Sequence, residues 1–417
     1  MLASLFVLPP RFIRRLVFAP LVILITVAAV VLSPLLLALA ILASPSRSGP
    51  RRALRLTWFG LTWLVMESAA LVACLGLWLV SGFGGRIRTE ASMDRHYALV
   101  RWFLATLFRR ALKVFRLRVE ISEPAATPEE LAARLTRPVI VLSRHAGPGD
   151  SFLLVHHLLS LYHRKPRIVM KAALQFDPSL DVVINRLPHA FVHPHRREPV
   201  LAAPPRRAAA AAGAGTATLD STADLDSTVD ADSAVDLGST VDSVGLSDRR
   251  GARDQAAVEA AAGETPAQSS VIDEIRRLAA GLGPTGALVL FPEGGNFTPS
   301  RWIRGIKQLE RAEHYGQARR ARGMANLLPP RSGGAFAAID AAPTADVVFV
   351  AHTGLDDLIT VGDVWRGLPM EQVIKAQWWR VPAAEVPRER DEVIAWLYDW
   401  WERIDAWIDE NRPIRTP

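Results

Sequence analysis

Hydrophobic residues follow two different patterns along this chain, with long spans near the N-terminus and short runs further on. Leu16–Ala43 and Leu56–Val80 are almost continuously apolar, and each exceeds the roughly 20 residues that a helix needs to cross a bilayer. The later runs are short and mostly β-branched, which is typical of strands buried on both faces of a parallel sheet. The pattern predicts an N-terminal transmembrane helical hairpin, followed by an α/β domain with a mainly parallel sheet flanked by helices.

The short runs predict individual strands, and longer stretches between them predict helices. Phe115–Ile121 alternates apolar and charged residues and predicts a half-exposed strand. Thr127–Glu130 has the cap residue, proline and glutamate that are typical of a helix start. The other predicted strands are Val139–Leu142, Arg167–Lys171, Ala190–Val192, Ala287–Phe291 and Val347–Ala351, and the predicted helices are Phe152–Leu161, Val271–Ala280 and Glu392–Glu410.

Several features of the predicted membrane-associated parts allow two interpretations each. The hairpin either crosses the bilayer or enters it only shallowly, and both arrangements put Arg15 on the same side as the C-terminal part. Glu67, the one charge of the second span, is either a functional acid inside the membrane or a partly hydrated contact within the hairpin. Met93–Lys113 is a basic amphipathic helix that either lies on the bilayer surface or packs on the domain. The tryptophans of Glu392–Glu410 either pack or anchor the helix at the interface, or else belong to a cofactor site, and the first of these two interpretations is favoured.

Charge indicates which partners the protein can bind, and cysteine content limits its disulfides and metal sites. The net charge is +7, but the stretch from Leu219 to Asp248 holds eight Asp and no Lys or Arg, so the remainder carries +15. A basic body beside apolar spans suits membrane lipids with anionic headgroups and phosphorylated substrates, and no nucleic-acid partner is expected. Cys74 is the only cysteine, which excludes an intramolecular disulfide and a cysteine-based metal site. Neither a metal nor a cofactor is expected.

One segment differs in composition from the rest. Residues 199–270 are rich in Ala and Asp, contain imperfect repeats and lack aromatic residues, which is typical of a disordered insertion. This insertion divides the predicted α/β domain into a first part, residues 91–198, and a second part, residues 271–417. Residues 1–90 form the predicted membrane hairpin.

A histidine and a carboxylate stand where a predicted buried strand gives way to a helix. His145 and Asp150 follow Val139–Leu142, and the carboxyl ends of strands are where open α/β sheets place ligands. Five residues apart on a regular helix, the two side chains would point about 140° apart. They can meet only if the chain turns between them, which Gly147-Pro148-Gly149 permits. Asp150 would then accept from one ring nitrogen and leave the other as a base.

A second pair, His352 and Asp357, has the same spacing behind another predicted strand, and the residues alone do not choose between the pairs. The motif Phe291-Pro292-Glu293-Gly294 ends a third predicted strand. His-x-x-x-x-Asp followed later in the chain by Phe-Pro-Glu-Gly resembles the 1-acylglycerol-3-phosphate acyltransferase family of glycerolipid acyltransferases, and the next residues resemble its lysophospholipid acyltransferase branch. The histidine motif comes first in that family, so the resemblance selects His145 and implies that His352→Ala keeps substantial activity.

The resemblance implies roles for the motif residues. His145 would be the base and Asp150 would fix its tautomer, while Glu293 and Gly294 would help to bind the acceptor. An arginine behind the family's second motif would hold the substrate phosphate. Here the strand end Phe191-Val192 is followed by Arg196 and Arg197, and the sequence does not choose between them.

Other basic residues are further candidates for the phosphate. They are Lys171, Arg301 and Arg331. The better-known bacterial form of the Phe-Pro-Glu-Gly motif carries an arginine where this chain has Asn296, and Arg301 or Arg304 would replace it.

The reaction implied by the resemblance is acyl transfer from acyl-CoA or acyl-ACP to a hydroxyl of a lysophospholipid, with 1-acylglycerol-3-phosphate as the favoured acceptor. No covalent intermediate is expected, since the chain has no Gly-x-Ser-x-Gly motif and Cys74 lies in a predicted span. Backbone N–H groups of Gly147–Ser151 are the expected oxyanion donors. The protein is expected in the cell membrane, multi-pass, with its catalytic domain facing the cytoplasm. Two alternatives stay open: a lipid hydrolase or thioesterase using the same pair on water, and a non-catalytic membrane scaffold.

Overall fold

The computed structural model describes residues 8–43, 51–123, 136–192, 266–356 and 361–412, together with Thr127 and Glu129. Some predictions fall outside these residues. They concern most of the helix start at 127–130, the insertion from residue 199 to residue 265, Arg196, Arg197 and Asp357. The first helix of the second part begins at Pro266, ahead of the predicted boundary at residue 271.

The described part of the chain contains one seven-stranded, mostly parallel sheet. Its order is β1-β7-β6-β2-β5-β3-β4, and β6–β7 is the antiparallel pair. The sheet confirms the predicted α/β class with a mainly parallel sheet. The strands are β1 Arg118–Ser122, β2 Val139–Ser143, β3 Lys165–Lys171, β4 Ala190–Val192, β5 Gly286–Leu290, β6 Asp346–Thr353 and β7 Val373–Val381. The alternating run predicted from Phe115 forms β1, but Phe115 itself ends a helix.

The central strands are buried on both faces, as their continuous apolar runs predict. Every residue of β2 and β5 is buried. Ile140 packs with helices on one face of the sheet, and Val139 and Val141 pack with a helix on the other. Because side chains alternate along a strand, a run that is apolar at every position needs cover on both faces.

Helices supply that cover. The described helices are α1 Arg11–Val31, α2 Ser33–Leu42, α3 Arg52–Val80, α4 Glu90–Phe115, α5 Pro148–Ser160, α6 Pro178–Ile184, α7 Pro266–Ala280, α8 Pro299–Arg311, α9 Tyr315–Gly323, α10 Ser332–Ala341, α11 Val361–Gly367 and α12 Arg390–Asn411. Helices α7, α10 and α12 share one core with the sheet. On the other face α5 packs on the strands, and α4 and α3 pack outside α5 and α6.

The C-terminal helix is a packing element. Trp400 of α12 stacks on Phe349 of β6, with ring centroids 4.5 Å apart, and Trp401 is fully buried. Trp407 makes an edge contact with Trp379 of β7. The packing interpretation of these tryptophans is confirmed, and β7, which the sequence analysis missed, provides part of the surface they cover.

The N-terminal helices are apolar and largely exposed. Helices Arg11–Val31 and Arg52–Val80 are both long and apolar enough to cross a membrane. The first predicted span is interrupted at Leu32 and continues as the separate helix α2. Most large side chains of α1 and α2 are exposed, so these helices present an apolar surface.

Helix α3 lies along the α/β domain and contacts it near both of its ends. Arg52 donates to the carbonyl of Leu368 at 2.8 Å, and the carbonyl of Cys74 accepts from Arg186 at 2.8 Å. At 1.5 Å per residue these contacts are about 33 Å apart along the helix. Between them Trp63 lies 6.3 Å from Phe152 of α5, measured between ring centroids.

Buried polar contacts join the hairpin to α6. Glu67 accepts from the backbone N–H of Ser179 at 2.9 Å and from its hydroxyl at 2.8 Å. Arg14 forms a buried ion pair with Asp181 at 2.5 Å. Glu67 is therefore a buried contact with the domain, and the expectation of a partly hydrated contact within the hairpin is wrong. Helix α4 likewise packs against the domain: its Tyr97 is buried and donates to the carbonyl of Pro166.

Candidate active site

The candidate site lies at the carboxyl ends of three neighbouring strands. β2 stands between β6 and β5, so the residues that follow β2 and β5 meet those that end β6. His145 follows β2, Glu293 follows β5 and His352 lies near the end of β6. The sheet topology thus brings together side chains that are far apart in the sequence, at the edge where parallel sheets bind ligands.

His145 and Asp150 form the predicted pair. The Nδ1 atom of His145 lies 3.1 Å from Oδ2 of Asp150, which stands in the first turn of α5. Oδ2 also accepts from the backbone N–H groups of Ala146 and Gly147, and Oδ1 accepts from that of Ser151. The carboxylate therefore caps the helix and orients the imidazole at the same time.

Asp150 is ionised in this environment. Burial by itself raises the pKa of a carboxyl group, but hydrogen bonds from His145 and the backbone, with nearby His352, lower the pKa of Asp150 to about 2. An ionised carboxylate accepts a hydrogen bond from the Nδ1–H group, so Nε2 of His145 is the nitrogen available as a base. About a quarter of the His145 side chain is exposed, at 24%, and its ring packs against Phe291 with centroids 4.8 Å apart.

The expected oxyanion donors are partly occupied. The N–H groups of Gly147 and Ser151 both donate to the carboxylate of Asp150. Two of the expected donors therefore already have a carboxylate partner, and the oxyanion role of the Gly147–Ser151 amide groups stays a prediction. The physical reason is local: a carboxylate in the first turn of a helix competes for the same amide groups that an oxyanion would use.

Glu293 is buried and bonded to the backbone on both sides. Its Oε1 accepts from the N–H of His145 at 2.7 Å, and its Oε2 accepts from the N–H of Leu328 at 2.9 Å. Burial raises the pKa of Glu293 to about 7, and the charge of Arg144 and the two backbone bonds oppose this rise. In these contacts Glu293 holds the backbone of the histidine motif.

Basic side chains gather at the glycine turn behind Glu293. Gly294 has a φ of +70° and the guanidinium carbon of Arg331 lies 2.9 Å from where a Cβ atom would be. Arg301, from the first turn of α8, has its Nη1 atom 2.6 Å from where a Cβ atom of Gly295 would be and donates to the carbonyl of Asn296. Lys171 ends β3, and burial together with the charge of Arg301 lowers the pKa of its ammonium group. The predicted candidates Arg331 and Arg301 thus lie at one turn that only small residues permit. Lys171 is near enough to Arg301 for the two charges to interact.

The second histidine belongs to the same site. His352 is buried, and its Nε2 atom lies 3.7 Å from Oδ2 of Asp150. Its predicted partner Asp357 lies outside the described residues. In the sequence analysis the two histidines were alternative candidates for the catalytic base. The sheet places both next to Asp150, because β2 and β6 are neighbours.

Sequence analysis missed Arg144 and Asp356. Arg144 is almost fully buried, with 2% of its side chain exposed, and forms an ion pair with Asp356 at 2.7 Å. It also donates to the carbonyl of His352 at 2.7 Å. A signal was present, since an arginine directly behind a buried strand needs a partner if it stays inside, but the sequence does not identify that partner.

Within the described ranges no group of three or more His, Cys, Asp or Glu side chains is arranged to hold a metal ion. No family model matches the chain, and neither does any curated protein or solved structure. Function is therefore inferred from the geometry of the site and from the motifs that form it.

Proposed function

We propose that this protein is a membrane-bound O-acyltransferase of the glycerolipid type. It moves a fatty acyl group from a thioester, acyl-CoA or acyl-ACP, to a hydroxyl of a lysophospholipid, with 1-acylglycerol-3-phosphate as the favoured acceptor. The observation that carries the proposal is the His145–Asp150 pair at the carboxyl edge of the sheet, beside a glycine turn surrounded by basic side chains.

The pair can supply the proton transfers that this reaction needs. Nε2 of His145 removes the proton from the acceptor hydroxyl as the oxygen attacks the thioester carbonyl. The tetrahedral intermediate collapses, the carbon–sulfur bond breaks, and the same proton passes from His145 to the departing thiolate. Asp150 stays ionised and stabilises the imidazolium that exists between these two steps. The acyl group passes directly to the acceptor.

The basic residues around the glycine turn fit an acceptor phosphate. Arg331 and Arg301 bring their guanidinium groups to Gly294 and Gly295, respectively, from two different elements. One guanidinium group can bind two phosphate oxygens at once. Lys171, an exposed residue at the end of β3, adds a third positive charge whose field reaches Arg301. Glu293 belongs to the same turn, but its contacts with the backbone suit it to position His145.

The contacts of α3 support a shallow, re-entrant seat in the membrane instead of the multi-pass arrangement. The contacts of Arg52 and Cys74 with the domain are about 33 Å apart along the helix, and the hydrocarbon core of a bilayer is about 30 Å thick. A helix held by a polar domain over that length cannot cross the bilayer without drawing the domain into it. The exposed apolar faces of α1 and α2 would enter the lipid.

This seat brings the site close to lipid. Phe152 stands two residues after Asp150 and contacts Trp63 of α3, so the first turn of α5 adjoins the membrane-bound helices. A lysolipid in the interface could then reach His145 without leaving the membrane. Because thioester donors are made in the cytosol, the catalytic domain is proposed to face the cytoplasm.

The test uses purified full-length protein in vesicles with one labelled acyl-CoA, or the matching acyl-ACP, and a panel of lysolipids. A diacyl product that forms with wild-type protein and not with His145→Ala is the expected result. Free fatty acid as the main product would favour the hydrolase alternative. No product with either donor and any acceptor would leave the scaffold interpretation and overturn the proposal.

A further inference from the structure

The peptide group between Arg144 and His145 is held at both of its polar ends. Its carbonyl, on Arg144, lies 3.3 Å from Nε2 of His352 on β6. Its N–H, on His145, donates to Glu293 behind β5 at 2.7 Å. The C=O and N–H of a trans peptide point in opposite directions, and β6 and β5 are the two neighbours of β2. The two side chains therefore hold one peptide plane from both sides.

Arg144 completes the contact with β6. Its side chain donates to the backbone carbonyl of His352 at 2.7 Å, while its backbone carbonyl faces the His352 ring. The guanidinium is anchored by the ion pair with Asp356. These reciprocal contacts continue the attachment of β2 to β6 beyond the last paired residues, Ser143 and Val350.

The contacts define the tautomer of His352. A carbonyl only accepts, so the bond to Arg144 requires the proton on Nε2. Nδ1 of His352 is buried and has no hydrogen-bond partner in the described part of the chain. The charged groups that face the ring are Asp150, Arg144 and Asp356, and burial, which is the largest influence, lowers the pKa of His352. The ring is therefore neutral, with its proton on the nitrogen opposite to the one protonated in His145.

We propose that His352 is a positioning residue for the reaction assigned to His145. It fixes the peptide plane that carries the base and so keeps His145 Nδ1 directed at Asp150. This inference rests on the proposed function for its kinetic consequence, although its structural content does not. The resemblance implies that loss of His352 is tolerated, and the contacts lead to the opposite expectation.

The kinetic test compares His352→Gln with His352→Asn. Glutamine can place an amide N–H close to the position of Nε2 and asparagine, one methylene shorter, cannot. His352→Gln should keep kcat within about threefold of the wild-type value. His352→Asn and His352→Leu should lower kcat by about tenfold or more and change KM by less than about twofold. The reason is that a base displaced by a fraction of an ångström transfers the proton much more slowly. His189→Leu removes another, partly buried imidazole, which accepts from Ile168 N–H, and should leave kcat unchanged.

The second readout does not need activity. Nitrogen-15 spectra of histidine-labelled full-length protein report which ring nitrogen carries the proton. Wild type should show His145 protonated on Nδ1 and His352 on Nε2, and His352→Asn should lower the Nδ1-protonated fraction of His145, with glutamine restoring it. Folded His352→Asn and His352→Gln that are alike in kcat and in the His145 tautomer would overturn the inference. If wild type transfers no acyl group, the proposed function fails, while the spectra still decide the role of His352.

Discussion

Oε1 of Glu293 accepts a 2.7 Å hydrogen bond from the backbone N–H of His145, although 148 residues separate the two in sequence. The acidic residue of one motif thus holds the backbone of the other. Because Oε2 accepts from Leu328, Glu293 also joins the histidine to the loop that precedes α10. The position of the base depends on β5 and its loop as much as on its own strand.

Replacing Glu293 by glutamine should therefore lower both stability and activity. In either orientation the amide NH₂ would face one of the two backbone N–H groups, which leaves a buried donor unpaired at a cost of about 1–3 kcal/mol. We expect urea unfolding of Glu293→Gln to show a loss in this range, and kcat to fall by about tenfold or more. Glu392→Gln, an exposed position in α12, is the matched control. Wild-type kcat in a folded Glu293→Gln protein would contradict the positioning role.

The buried Glu293 also predicts a pH dependence of stability. Its pKa is about 7 in the folded protein, raised by burial from the ordinary 4.5. A raised carboxyl pKa contributes stability that is fully present below the unfolded value and is lost as pH rises through the folded value. Between pH 5 and pH 8 the free energy of unfolding should fall, by an amount on the order of 3 kcal/mol from this group. The difference between wild type and Glu293→Gln should therefore be largest near pH 5, and a difference independent of pH would contradict the assignment.

Removing the base should abolish transfer without unfolding the protein. The His145 side chain is partly exposed, so His145→Ala leaves a small gap and should shift the unfolding midpoint little. Activity should fall to the background rate, since no other described side chain is placed to use Asp150 from the open side. His314→Ala, an exposed histidine at the start of α9, should behave as wild type. Substantial transfer by His145→Ala would move the active site elsewhere.

The glycine turn predicts a selective loss of acceptor binding. In Gly294→Ala the new Cβ would stand 2.9 Å from the guanidinium carbon of Arg331, at a φ of +70°. The substitution should destabilise the turn by about 1–2 kcal/mol and displace Arg331. We expect the substitution to raise the KM for a phosphate-bearing acceptor and to leave the KM for the thioester donor nearly unchanged. Gly283→Ala, where a Cβ meets nothing within 4 Å, should change neither constant.

The shallow seat of the hairpin can be tested by cysteine labelling. In a Cys74→Ser background, cysteines at Arg51, before α3, and at Arg95, on α4, should both resist an impermeant maleimide in intact cells and both react after permeabilisation. The reason is that Arg52 and the α/β domain are in contact, so the two positions lie on one side. Labelling of Arg51→Cys alone in intact cells would show a hairpin that crosses the bilayer, and labelling of both would place the domain outside the cytosol.

The sequence by itself determined the local elements and the first half of the site. Continuous β-branched runs can be satisfied only by burial on both faces, and so β2, β5 and β6 were predictable within one or two residues. A single short loop joins His145 to Asp150, and it allows few arrangements in which the two side chains do not meet. β7 was missed because Lys375, Gln377 and Arg380, which are only partly buried, interrupt its apolar pattern.

Tertiary structure decided the rest, because the remaining contacts depend on which strands lie side by side. The order β6-β2-β5 puts His352 and Glu293 on opposite sides of the peptide that carries His145, and no local pattern encodes that order. The same holds for Arg144, whose partner Asp356 follows a strand more than two hundred residues away. Apolar length marked α3 as long enough to cross a bilayer, yet its contacts at Arg52, Glu67 and Cys74 lay it along the domain. The hydrophobicity of a helix shows whether it can enter a bilayer, whereas its polar contacts with the domain determine its orientation.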